Sequence, residues 1–121
     1  MNILNHDIFE HPTSKKWVVF LHGAGGSGKT WDRQLVDFST HFNVLNMDLR
    51  DHGNSKNMMP DYPKYNLKVV TEDILNLLDH LQIEKASFIS LSMGSFLMQS
   101  LALQRAELIE RCILAGAVFA G

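Results

Sequence analysis

A single cysteine, Cys112, excludes an internal disulfide, so the fold must rest on its core and its hydrogen bonds. The residue lies in an apolar strand pattern and is expected to be a small buried hydrophobe. Charge of one sign is also scarce. The net charge is −2, the 11 basic residues are scattered, and Lys15-Lys16 is a lone basic doublet before a strand. That balance gives no electrostatic case for nucleic acid or an anionic membrane surface. No apolar run reaches the roughly 18 residues that mark a membrane span. The first residues, Met1-Asn2-Ile3-Leu4-Asn5-His6, lack the basic and apolar regions of a secretion signal, so a cytoplasmic location is expected. Repeats, low-complexity tracts and linkers are missing too. What is present is an apolar fraction of 45% in 121 residues, enough for one domain with a modest core.

Apolar runs and amphipathic stretches alternate along the chain. Residues 3–9 suggest a short strand, and Trp17 to Leu21 is a continuous apolar run of the kind buried on both faces of a sheet. A glycine-rich loop, His22 to Lys29, follows. From Thr30 a helix is expected, with Trp31, Leu35 and Phe38 on one face. Asn43 to Met47 is the next core strand and ends at Asp48. Leu49 to Lys64 reads as a long polar connection containing Pro60 and Pro63. Leu67, Val70, Ile74, Leu77, Leu78 and Leu81 mark an amphipathic helix, with Asn66 as its N-cap. Ala86 to Leu91 is a third core strand, about 93–105 a helix, and Arg111 to Val118 a fourth strand. Buried strands alternating with helices imply an α/β fold: a mostly parallel sheet with helices on both faces and functional residues at the strands' C-terminal ends. His22, Asp48 and Ser92 fall at those ends.

The run Phe88-Ile-Ser-Leu-Ser-Met-Gly-Ser-Phe96 carries the most chemistry. A strand runs into Ser92 and a helical pattern begins at once behind it. Small residues, Ser90 and Gly94, flank the turn. Such a turn exposes the serine hydroxyl beside the first unpaired N–H groups of a helix, which an acyl-attacking nucleophile requires. The pattern is the nucleophile elbow G-x-S-x-G with Ser90 in place of its first glycine. Two further motifs precede it. One is Leu21-His22-Gly23-Ala24-Gly25-Gly26-Ser27, followed by Trp31. The other is Asp48-Leu49-Arg50-Asp51-His52-Gly53-Asn54-Ser55.

These three motifs, in this order, resemble the α/β-hydrolase superfamily over nearly the whole chain. The first is similar to the family's H-G-x-G-G loop, the second to its D-x-R-G-x-G-x-S loop with Asp51 at a usual glycine, a change expected to shift that turn. The resemblance implies Ser92 as nucleophile and the backbone N–H groups of Ala24 and Met93 as the oxyanion hole. Gly23, Gly25 and Gly26 would let the loop approach substrate, and Gly94 would allow close helix packing. His22 and His52 would be structural, and Asp48 and Arg50 would tie two loops together. Neither metal nor cofactor is implied. The substrate would be a small ester or related acyl compound.

The family's general base and its orienting acid follow the nucleophile. After Ser92 this chain has no histidine, and its carboxylates are Glu107 and Glu110. The resemblance therefore implies the N-terminal part, residues 1–121, of one longer hydrolase domain, with lid, two strands, acid and base still to come. Alone, such a piece is expected to be inactive and to associate with itself, or with its missing half, along the 111–118 strand edge. Two alternatives belong to other classes. Gly23 to Thr30 also fits the P-loop pattern G-x-x-x-x-G-K-[ST], with Lys29 as the phosphate ligand and no account of the other two motifs. The chain would otherwise be a non-catalytic interaction module.

Overall fold

Three apolar runs form strands at the positions the sequence marks: β2 (Trp17–Leu21), β3 (Asn43–Met47) and β4 (Ala86–Leu91). The computed structural model describes residues 3–56 and 66–116. Two outer strands, β1 (His6–Phe9) and β5 (Ile109–Ala115), complete a five-stranded sheet of order β1-β3-β2-β4-β5. The pairs β3/β2, β2/β4 and β4/β5 are parallel, and β1 lies antiparallel to β3. The first strand is shorter than the expected 3–9, and Leu4 leaves it to enter the core. Residues 117 and 118 of the fourth expected strand lie outside the described residues.

Successive strand residues serve opposite faces. Val19, Leu21, Leu45 and Phe88 pack with helices α2 (Leu67–His80) and α3 (Met93–Gln104) in the larger core. Val18, Phe20 and Val44 pack on the other face against Trp31 and Leu35. Phe20 meets Trp31 at 5.0 Å and the edge of Phe38 at 5.4 Å. The helix expected from Thr30 is α1 (Asp32–Ser39), preceded by a single 3₁₀ turn, Gly28–Trp31, which the Ser27 side chain caps. Asn66 caps α2 as expected, its Oδ1 accepting the Val69 N–H at 3.0 Å. The polar connection after β3 is not solvated at its start. Leu49, Arg50 and Ser55 are buried; residues 57–65 lie outside the described residues.

Cys112 corrects the sequence reading. It is exposed, as are its neighbours from Glu110 to Ile113, which is 59% exposed. Among the described residues β5 is the edge of the sheet, sheltered by β4 alone, and an edge strand leaves side chains such as Cys112 open to solvent.

Candidate active site

Parallel strands put their C-terminal ends on one side of the sheet, so the residues after β2, β3 and β4 converge there. The residue after β4 is Ser92, exposed, with φ 49° and ψ −109°. A positive φ at a residue with a Cβ is strained and needs surroundings that hold it. They do: the Ser92 N–H donates to the Ala115 carbonyl at 2.9 Å, and its own carbonyl accepts the Ser95 N–H at 2.8 Å and the Ser95 hydroxyl at 2.7 Å. Helix α3 starts at Met93, so the Met93 N–H is one of the first-turn donors that have no partner within a helix. Close packing fixes this turn. A Cβ at Gly94 would lie 2.9 Å from the Leu21 carbonyl oxygen and 2.9 Å from the Ser90 Cβ. Ser90 itself is fully buried, so serine at the elbow's first position leaves the helix seated on the sheet.

The loop after β2 lies against Ser92, since a Cβ at Gly23 would sit 3.4 Å from the Ser92 Cβ. His22 opens this loop and is fully buried. Its Nε2 faces the Leu49 N–H at 3.0 Å and its Nδ1 faces the Gly23 carbonyl at 2.8 Å. An N–H can only donate, so Nε2 holds the lone pair and Nδ1 the proton. Burial pushes the His22 pKa below its ordinary value; the neighbouring His52 adds to this, while the Gly23 carbonyl opposes it. A neutral ring with both nitrogens engaged in this way holds a loop and has no vacant nitrogen with which to take a proton from Ser92.

His52 does the same from the other side. Its Nε2 accepts the Gly25 N–H at 3.1 Å and its Nδ1 lies 2.8 Å from the Arg50 carbonyl. The two imidazole centres are 5.0 Å apart. Asp51, just before it, takes φ 62°. Aspartate is among the few residues that enter the left-handed region readily, so the turn closes with His52 N–H on the Leu49 carbonyl at 2.9 Å.

Asp48, after β3, joins three stretches of chain. Its carboxylate accepts the Gly28 N–H at 2.7 Å, the Asn54 N–H at 2.9 Å and the Asn5 amide at 3.0 Å. Burial works to raise its pKa, but these donors outweigh burial and hold it below the ordinary carboxylate value. Gly53 leaves room for it: φ is +49°, and a Cβ there would lie 2.5 Å from the carboxylate. Arg50 reaches α2, where its guanidinium meets Asp73 in two bonds of 2.6 Å, both groups buried. Asp73 was missed in the sequence, although an acidic residue inside the stripe Val70, Ile74, Leu77 signals a buried partner.

Glu110 pairs with Lys16 at 2.9 Å near the start of β5, the end of the sheet away from Ser92. The P-loop alternative finds no support. Its would-be phosphate donors are already engaged: Gly25 N–H on His52, Gly26 N–H on the Gly23 carbonyl, Gly28 N–H on Asp48, and the Lys29 and Thr30 N–H groups on Ser27. The Asp48 carboxylate already takes the Gly28 donor.

A parallel sheet with helices on both faces, and a strained serine between its β4 strand and the following helix, define the α/β-hydrolase class. The family model described as "alpha/beta hydrolase fold" matches residues 16–120, and the chain belongs to this family. Among similar curated proteins are a probable alcohol acetyltransferase of Wickerhamomyces anomalus, 31% identical over 80% of this chain, and 3-oxoadipate enol-lactonase 2 of Acinetobacter baylyi, 34% identical over 81%. The matches cover 28% and 36% of those proteins, so the chain spans about a third of their length. A crystal structure of the enol-lactonase from Burkholderia xenovorans LB400 superposes with a TM-score of 0.79 at 35% identity, covering 90% of this chain and 41% of that one. Among the described residues, no helix is long and apolar enough to cross a membrane.

Proposed function

We propose that this chain carries the nucleophile and oxyanion-binding part of a serine hydrolase acting on a small ester or related acyl substrate. The observation that carries the reading is Ser92 itself: an exposed hydroxyl on a residue held at positive φ, at the first turn of α3, against the Gly23 loop. In this reading Ser92 Oγ bonds the substrate's carbonyl carbon while its proton passes to a base. The carbonyl oxygen becomes an oxyanion met by the N–H groups of Met93 and Ala24. The leaving group departs as the proton returns to it, leaving an acyl-enzyme that water hydrolyses. His22 and His52 support rather than perform this chemistry, so the base and its orienting acid come from outside the described residues. No metal or cofactor enters the scheme. The names of the acetyltransferase and the enol-lactonase both describe acyl chemistry, which supports an acyl substrate without selecting one. The 121 residues alone are expected to turn over little, and a cytoplasmic location remains part of the proposal.

The test is intact mass of the natural polypeptide before and after a fluorophosphonate. One adduct mapped to Ser92 supports the reading; no adduct on a folded protein overturns it. A second reading, an interaction module that self-associates or binds a partner at the 111–118 edge, draws on exposed Ile113 and on an apolar groove of about 540 Å³ lined by Val18, Phe38, Phe42, Ile89 and Ile113. Light scattering of the 121-residue chain tests this reading, against which a sharp monomer would count, and the fluorophosphonate adduct at Ser92 separates it from the first.

A further inference from the structure

The motif loop that holds His52 has a part the hydrolase scheme does not use. Its ring bridges two backbone segments: Nε2 accepts the Gly25 N–H at 3.1 Å, and Nδ1 donates to the Arg50 carbonyl at 2.8 Å. Arg50 is in turn clamped to α2 through Asp73. A rigid line therefore runs from α2 through Arg50 and His52 to Gly25, the residue after Ala24. Gly25 sits at φ +78° with nothing within 4 Å of where a Cβ would be. Glycine reaches many other conformations at little cost, so this backbone geometry must be selected from outside. Two bonds select it: the Gly26 N–H on the Gly23 carbonyl at 3.1 Å, and the one to His52.

We propose that His52 is a positioning residue for the reaction at Ser92: its Nε2 lone pair holds the Gly25 amide and thereby aims the neighbouring Ala24 N–H at the oxyanion. The catalytic consequence rests on the serine hydrolase reading above; the hold on Gly25 does not. His52 is half-buried at the rim of an open cleft, with its two ring nitrogens turned to backbone groups.

The test follows Gly25 amide exchange in the 121-residue chain at one pH. His52→Leu removes the acceptor, and protection at Gly25 should fall roughly fivefold, the size of one net hydrogen bond. His52→Gln offers an amide oxygen as acceptor and should keep part of that protection, while Val19 in the core reports any change of global stability. The ring's ¹⁵N spectrum should show the proton on Nδ1 and none on Nε2, a readout that needs no variant to fold. In the natural polypeptide, fluorophosphonate labelling at Ser92 should slow in His52→Leu and recover in part in His52→Gln. Gly25 protection that His52→Leu leaves unchanged, or an Nε2-protonated ring, overturns the proposal. Lost Gly25 protection with labelling that ignores it overturns the positioning role. Lost Gly25 protection where the unsubstituted polypeptide takes no label supports the hold on the loop and overturns the hydrolase reading instead.

Discussion

Ser92→Gly should yield a more stable protein than Ser92→Ala, although both lose the nucleophile. Ser92 holds φ 49° and ψ −109°, outside the regions open to residues with a Cβ. Backbone strain of this kind costs about 1–3 kcal/mol. Alanine keeps the Cβ and so keeps the strain. Glycine removes it, but its unfolded chain is more flexible, which costs about 0.5–1 kcal/mol. The difference leaves glycine ahead by up to about 2.5 kcal/mol, with a midpoint of about 1 kcal/mol. Because both variants lack Oγ, the comparison isolates the Cβ. Urea unfolding reads it directly: with a slope of about 1–3 kcal/mol per molar, the midpoints should differ by several tenths of a molar or more. Both variants should resist fluorophosphonate. If the glycine variant unfolds below the alanine variant, the elbow is not strained and the account of its geometry fails.

Three other outcomes follow from the same packing. Gly94→Ala inserts a Cβ 2.9 Å from both the Leu21 carbonyl and Ser90, and should cost about 1–3 kcal/mol. In a Ser90→Gly background one of those contacts is gone, so the cost should drop by at least about 0.5 kcal/mol in a double-mutant cycle; equal costs would refute the contact. Gly53→Ala meets the Asp48 carboxylate in addition to a left-handed φ, and should cost more in chemical denaturation than Gly25→Ala, which meets open space at a similar φ and should cost about 1–2 kcal/mol. For pH, the lowered pKa of His22 means that the unfolded chain binds the proton more readily. Its contribution is whole above about pH 6.5 and is lost as pH falls through the folded value. Asp48, also lowered, loses its contribution only at more acid pH, below the ordinary carboxylate value of about 3.9. Urea midpoints across a pH series should show these two falls in that order, and His22→Gln should erase the first.

Much of the architecture was legible because it is local. A continuous apolar run marked β2, largely apolar stretches marked β3 and β4 at their observed bounds, the 3.6-residue stripe marked α2, and Asn66 announced its start. Strands alternating with helices determined a mainly parallel sheet, and a parallel sheet by itself places His22, Asp48 and Ser92 at one edge. Tertiary structure decided who touches whom there. Cys112 looked like core, but burial depends on which strand stands at the edge, and no window of sequence states the strand order. Arg50 meets Asp73, 23 residues away on a helix whose position depends on the whole sheet, a pairing the sequence did not announce. His52 reaches the Gly25 amide across 27 residues for the same reason. Residue type and spacing determined which chemistry is on offer; the long-range pairings that aim it exist only once the strands have docked, since hydrogen-bond geometry is a property of the assembled chain and not of its segments.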